Sequence, residues 1–291
     1  MNTLEKTEAQ KFAKVLRASR KMKGVGQQEL ASTLGVSQSL LSKMENGIII
    51  PSAPVWFYIC KFLEIQSDSG IKGYIDRRKE SEVSNTNRLG SFRIPEKYSY
   101  LQGSMTRTSR PFLLYFAQRV GEKKTNEFIK GKKIDPDYFV ILDVPLNINF
   151  NLDILRTLIA SGNLKKKDIP EIASLMKTSF MHGELSSDYE NEKDPRELLK
   201  ALERNILKYD GNWKYSFNLN KKDRFEIECV PQPHLKEFDY ESDSVGDFIL
   251  DYRKHLLKEF LTENKVKVKN VEGIETFAKD NKKCVYQIQL M

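Results

Sequence analysis

Residues 38–45 (QSLLSKME) carry the side chains best suited to recognising a partner. Their apolar residues recur at helical spacing, which predicts a helix whose inward face holds Leu40, Leu41 and Met44. The outward face carries amide, hydroxyl and ammonium groups, from Gln38, Ser39, Ser42 and Lys43. Such groups can hydrogen-bond the edges of base pairs in a DNA major groove. An ordinary polar surface helix has the same pattern, so both interpretations stay open on this segment alone.

A second short helix precedes this segment, and the two are joined by a tight turn. Residues 27–34 have one apolar helical face. Gly35 suits the turn, and Ser37 suits the N-cap of the following helix because its hydroxyl can accept a backbone N–H. Gly47 suits the C-terminal end of that helix. The pattern therefore predicts a helix, a turn and a second helix.

Residues 12–65 resemble the Cro/C1-type (XRE-like) family of helix-turn-helix regulators. The resemblance is carried by apolar, turn and polar positions at the family's spacing: Leu16, Arg20, Gln27, Glu29, Leu30, Ala31, Gly35, Val36, Ser37, Leu41, Met44, Glu45, Asn46, Gly47, Pro51, Phe62, Leu63 and Ile65. Two positions depart from the pattern. Gly26 stands where the family often has Thr or Ser, and Met44 replaces a frequent aromatic residue.

The resemblance implies that the second helix enters the major groove of double-stranded DNA. The implied DNA-binding residues lie on the two helices and at their ends: Gln27, Gln28, Ser37, Gln38, Ser39, Ser42, Lys43 and Asn46. Gln27 and Asn46 are expected at phosphate oxygens, and Lys43 at a phosphate or a guanine edge. The resemblance also implies an ion pair between Arg20 and Glu45 that holds this helix against the first one. The alternative is an exposed arginine on a basic surface.

A homodimer is the expected DNA-binding form, because two copies can read two half-sites one helical turn apart. Residues 53–65 predict a further helix with a wide apolar face. Trp56 and Phe57 are adjacent in it, so we expect one in the core and the other available for dimer contact.

The composition is consistent with this interpretation. The chain has 291 residues and a formal net charge of +8, which favours an anionic partner. It contains three cysteines without metal-ligand spacing, which fits small buried side chains in a reducing cytoplasm. There is no apolar run long enough to span a membrane and no apolar N-terminal signal, so we expect a cytoplasmic protein.

The sequence contains no recognisable catalytic constellation. The histidines are His182, His234 and His255, and no pair has metal-ligand spacing. Glycine-rich phosphate loops and G-x-S-x-G motifs are also missing. We therefore expect no enzyme activity, no catalytic residues, no metal and no cofactor, and the sequence gives no support to haem ligation.

The remaining chain predicts a second, α+β domain. Residues 1–66 are assigned to the all-α helix-turn-helix domain, the polar stretch 67–90 to a linker, and residues 91–291 to the second domain. The latter begins with several helical patterns, including the amphipathic stretch 194–209. Strict alternation at 213–219 and 225–229 predicts a hairpin, followed by a long helix at 244–264 and strands at 265–271 and 284–290. This β-β-α-β-β ending predicts an antiparallel sheet covered by helices.

This ending resembles the vinyl-reductase (4VR) and haem-NO-binding group of small-ligand sensor domains. The long helix and the Cys284-x-Tyr286 pattern in the last strand carry the resemblance, whereas the glycines that often accompany it are absent, with Asp280 nearby instead. It implies a domain that senses a small apolar ligand or mediates dimerisation. The alternative is a protein-interaction module that encloses no ligand.

Overall fold

The computed structural model describes residues 3–76, 88–176, 186–190, 192–221, 223–237, 244–275 and 283–291. The chain divides into two compact units. The first unit comprises residues 1–99 and 126–145, and the second comprises residues 100–125 and 146–291. No helix within these described ranges is both long enough and apolar enough to cross a bilayer.

The first unit is built from helices and a short hairpin. Its helices are α1 (Thr3–Lys23), α2 (Gln27–Leu34), α3 (Gln38–Glu45), α4 (Ala53–Leu63), α5 (Ser69–Lys72) and α6 (Glu96–Ser99). Strands β1 (Arg88–Leu89) and β2 (Phe92–Arg93) pair antiparallel. The C-terminal part of α8 (Glu122–Gly131) and a 3-10 helix, Pro136–Val140, complete the unit. Leu16, Leu30, Leu41 and Ile59 are fully buried in its core.

Local sequence signals set the boundaries of α2 and α3. Gly35 adopts a left-handed conformation, with φ 65° and ψ 29°, and its N–H donates to the carbonyls of Ala31 and Ser32. A side chain at this φ would be strained, so glycine suits the turn. Ser37 Oγ accepts the backbone N–H of Leu40 at 3.1 Å, which caps α3 as the sequence predicts.

The first unit extends beyond the predicted helix-turn-helix boundary at residue 66. Within the segment assigned to a linker, Ser69, Gly70 and Ile75 are buried. The Ile75 N–H donates to the Val140 carbonyl at 2.9 Å. Residues 77–87 of that segment lie outside the described residues, and residues 88–89 form β1. Parts of residues 67–76 are therefore packed, at Ser69, Gly70 and Ile75, although Ile71 is exposed.

Residues 126–145 also depart from the predicted division, since the sequence places them in the second domain and the structure groups them with the first unit. Arg17 Nε and Nη2 donate to the Asp137 carboxylate at 3.1 and 3.0 Å. Lys21 Nζ lies 2.6 Å from Asp135 and 2.7 Å from Asp137. These partners are more than 110 residues apart in sequence, so no local pattern predicts their contact.

The second unit is an α+β structure, as predicted. Its helices are α7 (Thr106–Val120), α9 (Asn149–Ala160), α10 (Ile169–Ser174), α11 (Ser187–Glu190), α12 (Pro195–Ile206) and α13 (Ser244–Glu263), together with the start of α8. Two 3-10 helices, Lys166–Asp168 and Pro233–Glu237, and the short strand β3 (Ser104–Met105) also belong to it, and β4 (Pro145–Leu146) lies at the unit boundary. The main strands are β5 (Trp213–Asn218), β6 (Arg224–Pro231), β7 (Val268–Glu275) and β8 (Cys284–Leu290).

These four strands form one antiparallel sheet in the order β5-β6-β8-β7. Buried and more exposed residues alternate along the strands, and Phe225, Ile227 and Ile288 face the core. Helix α13 packs against this sheet, where the Tyr286 hydroxyl donates to the Leu250 carbonyl at 3.0 Å. The predicted antiparallel sheet with its β-β-α-β-β order is thus confirmed.

Substituting Asp137→Asn should destabilise the first unit by about 2 kcal/mol, between the values for exposed and fully buried ion pairs. Burial alone would raise the pKa of Asp137, but Arg17 and Lys21 outweigh it and lower the pKa below 3.8. The carboxylate therefore adds stability above pH 3.8, which is lost as the pH falls through the lowered pKa. Urea denaturation of both proteins at neutral and acidic pH measures the difference.

Glu64→Gln is the matched control, because Glu64 pairs with Lys23 but its side chain is 79% exposed. It should change stability little. Equal urea midpoints for wild type and Asp137→Asn at neutral pH would contradict a stabilising role for these ion pairs.

Candidate functional site

Helix α3 presents the polar face that the sequence analysis singled out. Gln38, Ser39 and Lys43 are exposed, and Ser42 is half-buried. On the opposite side Leu41, Met44 and Glu45 are buried. Leu40 is half-buried, so it lies closer to the surface than its predicted inward position. The exposed groups are uncharged donors and acceptors plus one ammonium, which suits them to base edges.

A buried ion pair fixes α3 against α1. Arg20 Nε donates to Glu45 Oε1 at 2.6 Å, and Arg20 Nη2 donates to Oε2 at 3.1 Å. The exposed fractions of the two side chains are 14% and 4%. Arg20 Nη1 also donates to the Val25 carbonyl at 2.9 Å, just before α2. The structure thus brings Arg20 and Glu45 together in a bidentate pair. The two hydrogen bonds fix the orientation of the guanidinium group relative to the carboxylate.

The same carboxylate orients two glutamines at the polar surface. Gln27 Nε2 donates to Glu45 Oε2 at 3.1 Å, and Gln38 Nε2 donates to Gln27 Oε1 at 3.3 Å. Gln27 therefore holds the amide of Gln38 as well as lying at the start of α2. This role for Gln27 was not foreseen from the sequence, where it is expected at a phosphate; that contact stays a prediction.

Arg17 is a structural residue of this site that the sequence analysis missed. Its Nη1 donates to the backbone carbonyl of Glu45, while the rest of its guanidinium pairs with Asp137. It therefore connects the last turn of α3 to the 3-10 helix Pro136–Val140. Arg17 lies one turn before Arg20 on α1, but nothing local to its sequence indicates a partner 120 residues away.

The predicted DNA-binding residues Gln28 and Asn46 lie at the two ends of the polar face, and they differ in their hydrogen bonds within the protein. Gln28 is exposed near the N-terminus of α2. Asn46 caps the other end of α3, where its Nδ2 donates to the Ser42 carbonyl at 2.9 Å and lies 3.3 Å from Ser42 Oγ. The Asn46 carbonyl accepts from Gln10 Nε2 at 3.3 Å. The predicted phosphate contact of Asn46 would have to use or replace these capping bonds.

Residues 16–68 match the family model described as Helix-turn-helix. This part of the chain is a Cro/C1-type helix-turn-helix domain. Comparison of the whole chain with curated proteins gave no match. The match runs from within α1 to the residue before α5, so it contains Arg20, the turn at Gly35 and all of α3. The matched segment therefore contains the whole polar face of α3, whereas residues 126–145 lie outside the match.

The second unit contains a separate cavity of about 170 Å³. Its walls come from α7, α9, α12, α13 and the sheet, and they are mostly apolar. A polar cluster lies at this cavity, where Arg253 Nη2 is 2.5 Å from Asp210 Oδ2 and Arg253 Nη1 donates to the Tyr215 hydroxyl at 3.0 Å. The guanidinium also lies 4.1 Å from the centre of the Trp213 ring. Burial raises the pKa of Tyr215 well above its usual value, although Arg253 opposes that shift.

The histidines and cysteines are the remaining candidates for reactive side chains, and of these Cys60 lies in the first unit. His234 Nε2 contacts Asn212 Oδ1 at 3.2 Å, and burial lowers its pKa. Burial also lowers the pKa of His255, and His182 lies outside the described residues. Cys60, Cys229 and Cys284 are buried thiols, and burial raises the pKa of Cys229 to about 12. Among the described residues, no cluster of His, Cys, Asp or Glu side chains could hold a metal ion.

Substituting Glu45→Gln should lower the free energy of unfolding by about 3 kcal/mol, because it leaves the Arg20 guanidinium buried without its counter-charge. Chemical denaturation of the full chain, followed by a probe of the helix-turn-helix domain, measures this change. Glu29→Gln on α2 is the control, since Glu29 is exposed and should change stability by less than about 0.5 kcal/mol. A Glu45→Gln protein as stable as wild type would show that the pair does not hold α3.

Proposed function

We propose that the protein is a sequence-specific DNA-binding transcription regulator. The observation that carries the proposal is the exposed polar face of α3, held on its buried side by the Arg20–Glu45 pair, within a segment that matches the helix-turn-helix family. A rigidly mounted helix can present side chains to base edges without ordering them on binding. The formal net charge of +8 supports an anionic partner.

In the proposed complex, α3 lies in the major groove with its N-terminal residues nearest the bases. Gln38 is oriented by Gln27, and a glutamine amide can make two hydrogen bonds to the N6 and N7 positions of adenine. Ser39 and Ser42 offer hydroxyls, and Lys43 offers an ammonium group to a guanine edge or a phosphate. Sequence preference would come from this row of groups.

Phosphate contacts would fix the register of the domain on the duplex. The first turn of α2 carries backbone N–H groups that have no partner within the helix, and Gln27 and Gln28 begin that turn. Ser37 and Asn46 flank α3 at its two ends. These positions support the assignment of Gln27, Gln28, Ser37 and Asn46 to the backbone-contacting set.

We also propose that the regulator binds as a homodimer. Trp56 is 5% exposed, whereas its neighbours Phe57 and Tyr58 on α4 are 60% and 52% exposed. The three isoleucines before α4, Ile48, Ile49 and Ile50, are exposed as well. Five exposed large apolar side chains within eleven consecutive residues, 48–58, favour a protein contact over plain solvation. Two copies would then read half-sites about 34 Å apart.

For the second unit we propose a sensing or dimerising role without catalysis. The cavity of about 170 Å³ favours sensing over a purely structural module, because a protein-interaction domain does not need an internal space. The alternative is a protein-interaction module that takes no small molecule. DNA binding by the first unit does not depend on whether the second unit senses a ligand or binds a protein.

The full chain should select a defined operator from a random DNA pool. Against that operator, Gln38→Ala should lose about 1–3 kcal/mol of binding free energy and tolerate more bases at one position. Repeating the selection with the variant measures both effects. The full chain is the proper material, because residues 126–145 pack within the first unit.

One control and one further variant accompany that measurement. Thr33→Ala changes an exposed residue of α2 outside the proposed set and should bind like wild type. Lys43→Ala should weaken binding in a salt-dependent way if its ammonium group meets a phosphate. Selection of no sequence by the wild type, at any salt concentration, would contradict the proposed function.

Substituting Phe57→Asp should shift the protein toward the monomer and weaken operator binding, since a carboxylate at an apolar contact is costly to bury. Sedimentation equilibrium, with and without operator DNA, measures the change in association. Ile71→Asp is the matched control, because Ile71 is 63% exposed in the same unit but lies on α5. A monomeric wild type that binds operator one-to-one would contradict the dimer.

A further inference from the structure

Asn151 on α9 carries a buried side-chain oxygen that accepts no hydrogen bond from the described residues. The residue is 7% exposed and lines the cavity of the second unit. Within the described part of the chain, its Oδ1 has no hydrogen-bond partner. A buried carbonyl oxygen without a donor is destabilising, so native proteins rarely keep one without a reason. The observation suggests a donor that comes from outside the chain.

The other polar groups of the cavity differ from Asn151, because several satisfy one another. Asn212 Nδ2 lies 2.5 Å from Ser104 Oγ and 3.0 Å from Asp210 Oδ1. Asp210 Oδ2 in turn accepts from Arg253 and from the Tyr215 hydroxyl. This cluster is complete without a ligand. Among the described lining residues, Asn151 alone has a buried side-chain oxygen or nitrogen atom that lacks a partner.

The size of the cavity restricts the ligand. Its volume of about 170 Å³ is close to that of an engineered apolar cavity, of roughly 150 Å³, that binds benzene. Phe112, Ile249 and Phe260 contribute apolar wall. A ligand with an apolar body of about one ring would therefore fit, and burial of that body would supply the driving force.

The charges around the cavity restrict the ligand further. The charged lining residues are Arg107, Arg253 and Asp210, so positive charge is in formal excess and an ammonium ligand is disfavoured. A carboxylate or an ether has no hydrogen to donate to Asn151 Oδ1. A neutral hydroxyl or N–H group satisfies both conditions.

We propose that this cavity binds a small neutral molecule whose apolar body fills the space and whose single O–H or N–H group donates to Asn151 Oδ1. This ligand site would be the basis of the sensing role proposed above. Any effect of the ligand on regulation rests on that proposed function. The binding step itself depends only on the second unit. Asn151 then determines specificity. Its unsatisfied oxygen destabilises the ligand-free protein, and the hydrogen bond from the ligand offsets that destabilisation.

A pair of isosteric probes tests the hydrogen bond directly. 4-Ethylphenol and 4-ethyltoluene have nearly the same shape, but only the phenol can donate. By isothermal titration calorimetry on the full chain, the phenol should bind roughly tenfold more tightly, the size expected of one buried hydrogen bond. Hydrophobic burial alone predicts the opposite order, because the toluene is the more apolar probe.

Three variants make the assignment specific. Asn151→Leu should abolish the preference for the phenol while leaving thermal stability equal or higher, because it removes an unsatisfied buried group. Asn205→Leu is the matched control: this buried amide donates to Asp188 Oδ2 at 3.0 Å outside the cavity, so its loss should lower stability and keep the preference. Leu256→Phe should fill the cavity and weaken binding of both probes.

The outcomes separate this proposal from the proposed DNA-binding function. Equal or reversed affinities in the wild type, or no binding of either probe, would overturn the ligand site and leave Asn151 to a bound water. Operator affinity without probe should be the same in wild type and Asn151→Leu. Failure of the wild type to select DNA would count against the regulator alone, since the probe titrations contain no DNA.

Discussion

The carboxylate of Glu45 is the interaction on which the first unit depends. It is buried at the end of α3 and accepts hydrogen bonds from Arg20 and from Gln27, so three helices converge on one pair of oxygen atoms. A buried charge is tolerated only when its partners surround it. The carboxylate therefore ties α1 and α2 to the C-terminal end of α3 through its hydrogen bonds. Because Glu45 is part of α3, these bonds also fix the position of the polar face of α3.

The protein adds a second set of charges to this small domain. Arg17 and Lys21 on α1 meet Asp135 and Asp137, from a segment far away in sequence. Arg17 also holds the Glu45 carbonyl, so the addition reaches the same end of α3 as the buried pair. The compact unit is therefore larger than the family match it contains, and its α1 has acidic partners that lie outside the matched residues.

The second unit makes a different use of buried polar groups. Around Arg253 they satisfy each other, which stabilises the packing of α13 on the sheet. At Asn151, which lines the mostly apolar cavity, one buried oxygen has no donor among the described residues. Binding sites often contain unsatisfied polar groups of this kind, and these groups lower the stability of the fold. The contrast between the two places distinguishes a structural cluster from a candidate recognition point.

Local sequence determined much of this protein. Gly35 and Ser37 determine the turn and the N-cap of α3. The 3.6-residue period of apolar residues predicts the helices, and strict alternation near Trp213 and Cys229 predicts the antiparallel hairpin. The polar face of α3 was also readable, since it depends on residues only three or four positions apart.

Only the tertiary structure decided the rest, because it depends on contacts between distant residues. Local composition does not reveal the grouping of residues 126–145 with the first unit or the hydrogen bond from Gln38 to Gln27. It also does not reveal that, among the described residues, the Asn151 oxygen lacks a donor. The compact unit that contains the helix-turn-helix segment extends beyond residue 66 for the same reason. A run of residues encodes its own periodicity and caps, whereas the partner of a buried charge or amide is chosen by the fold as a whole.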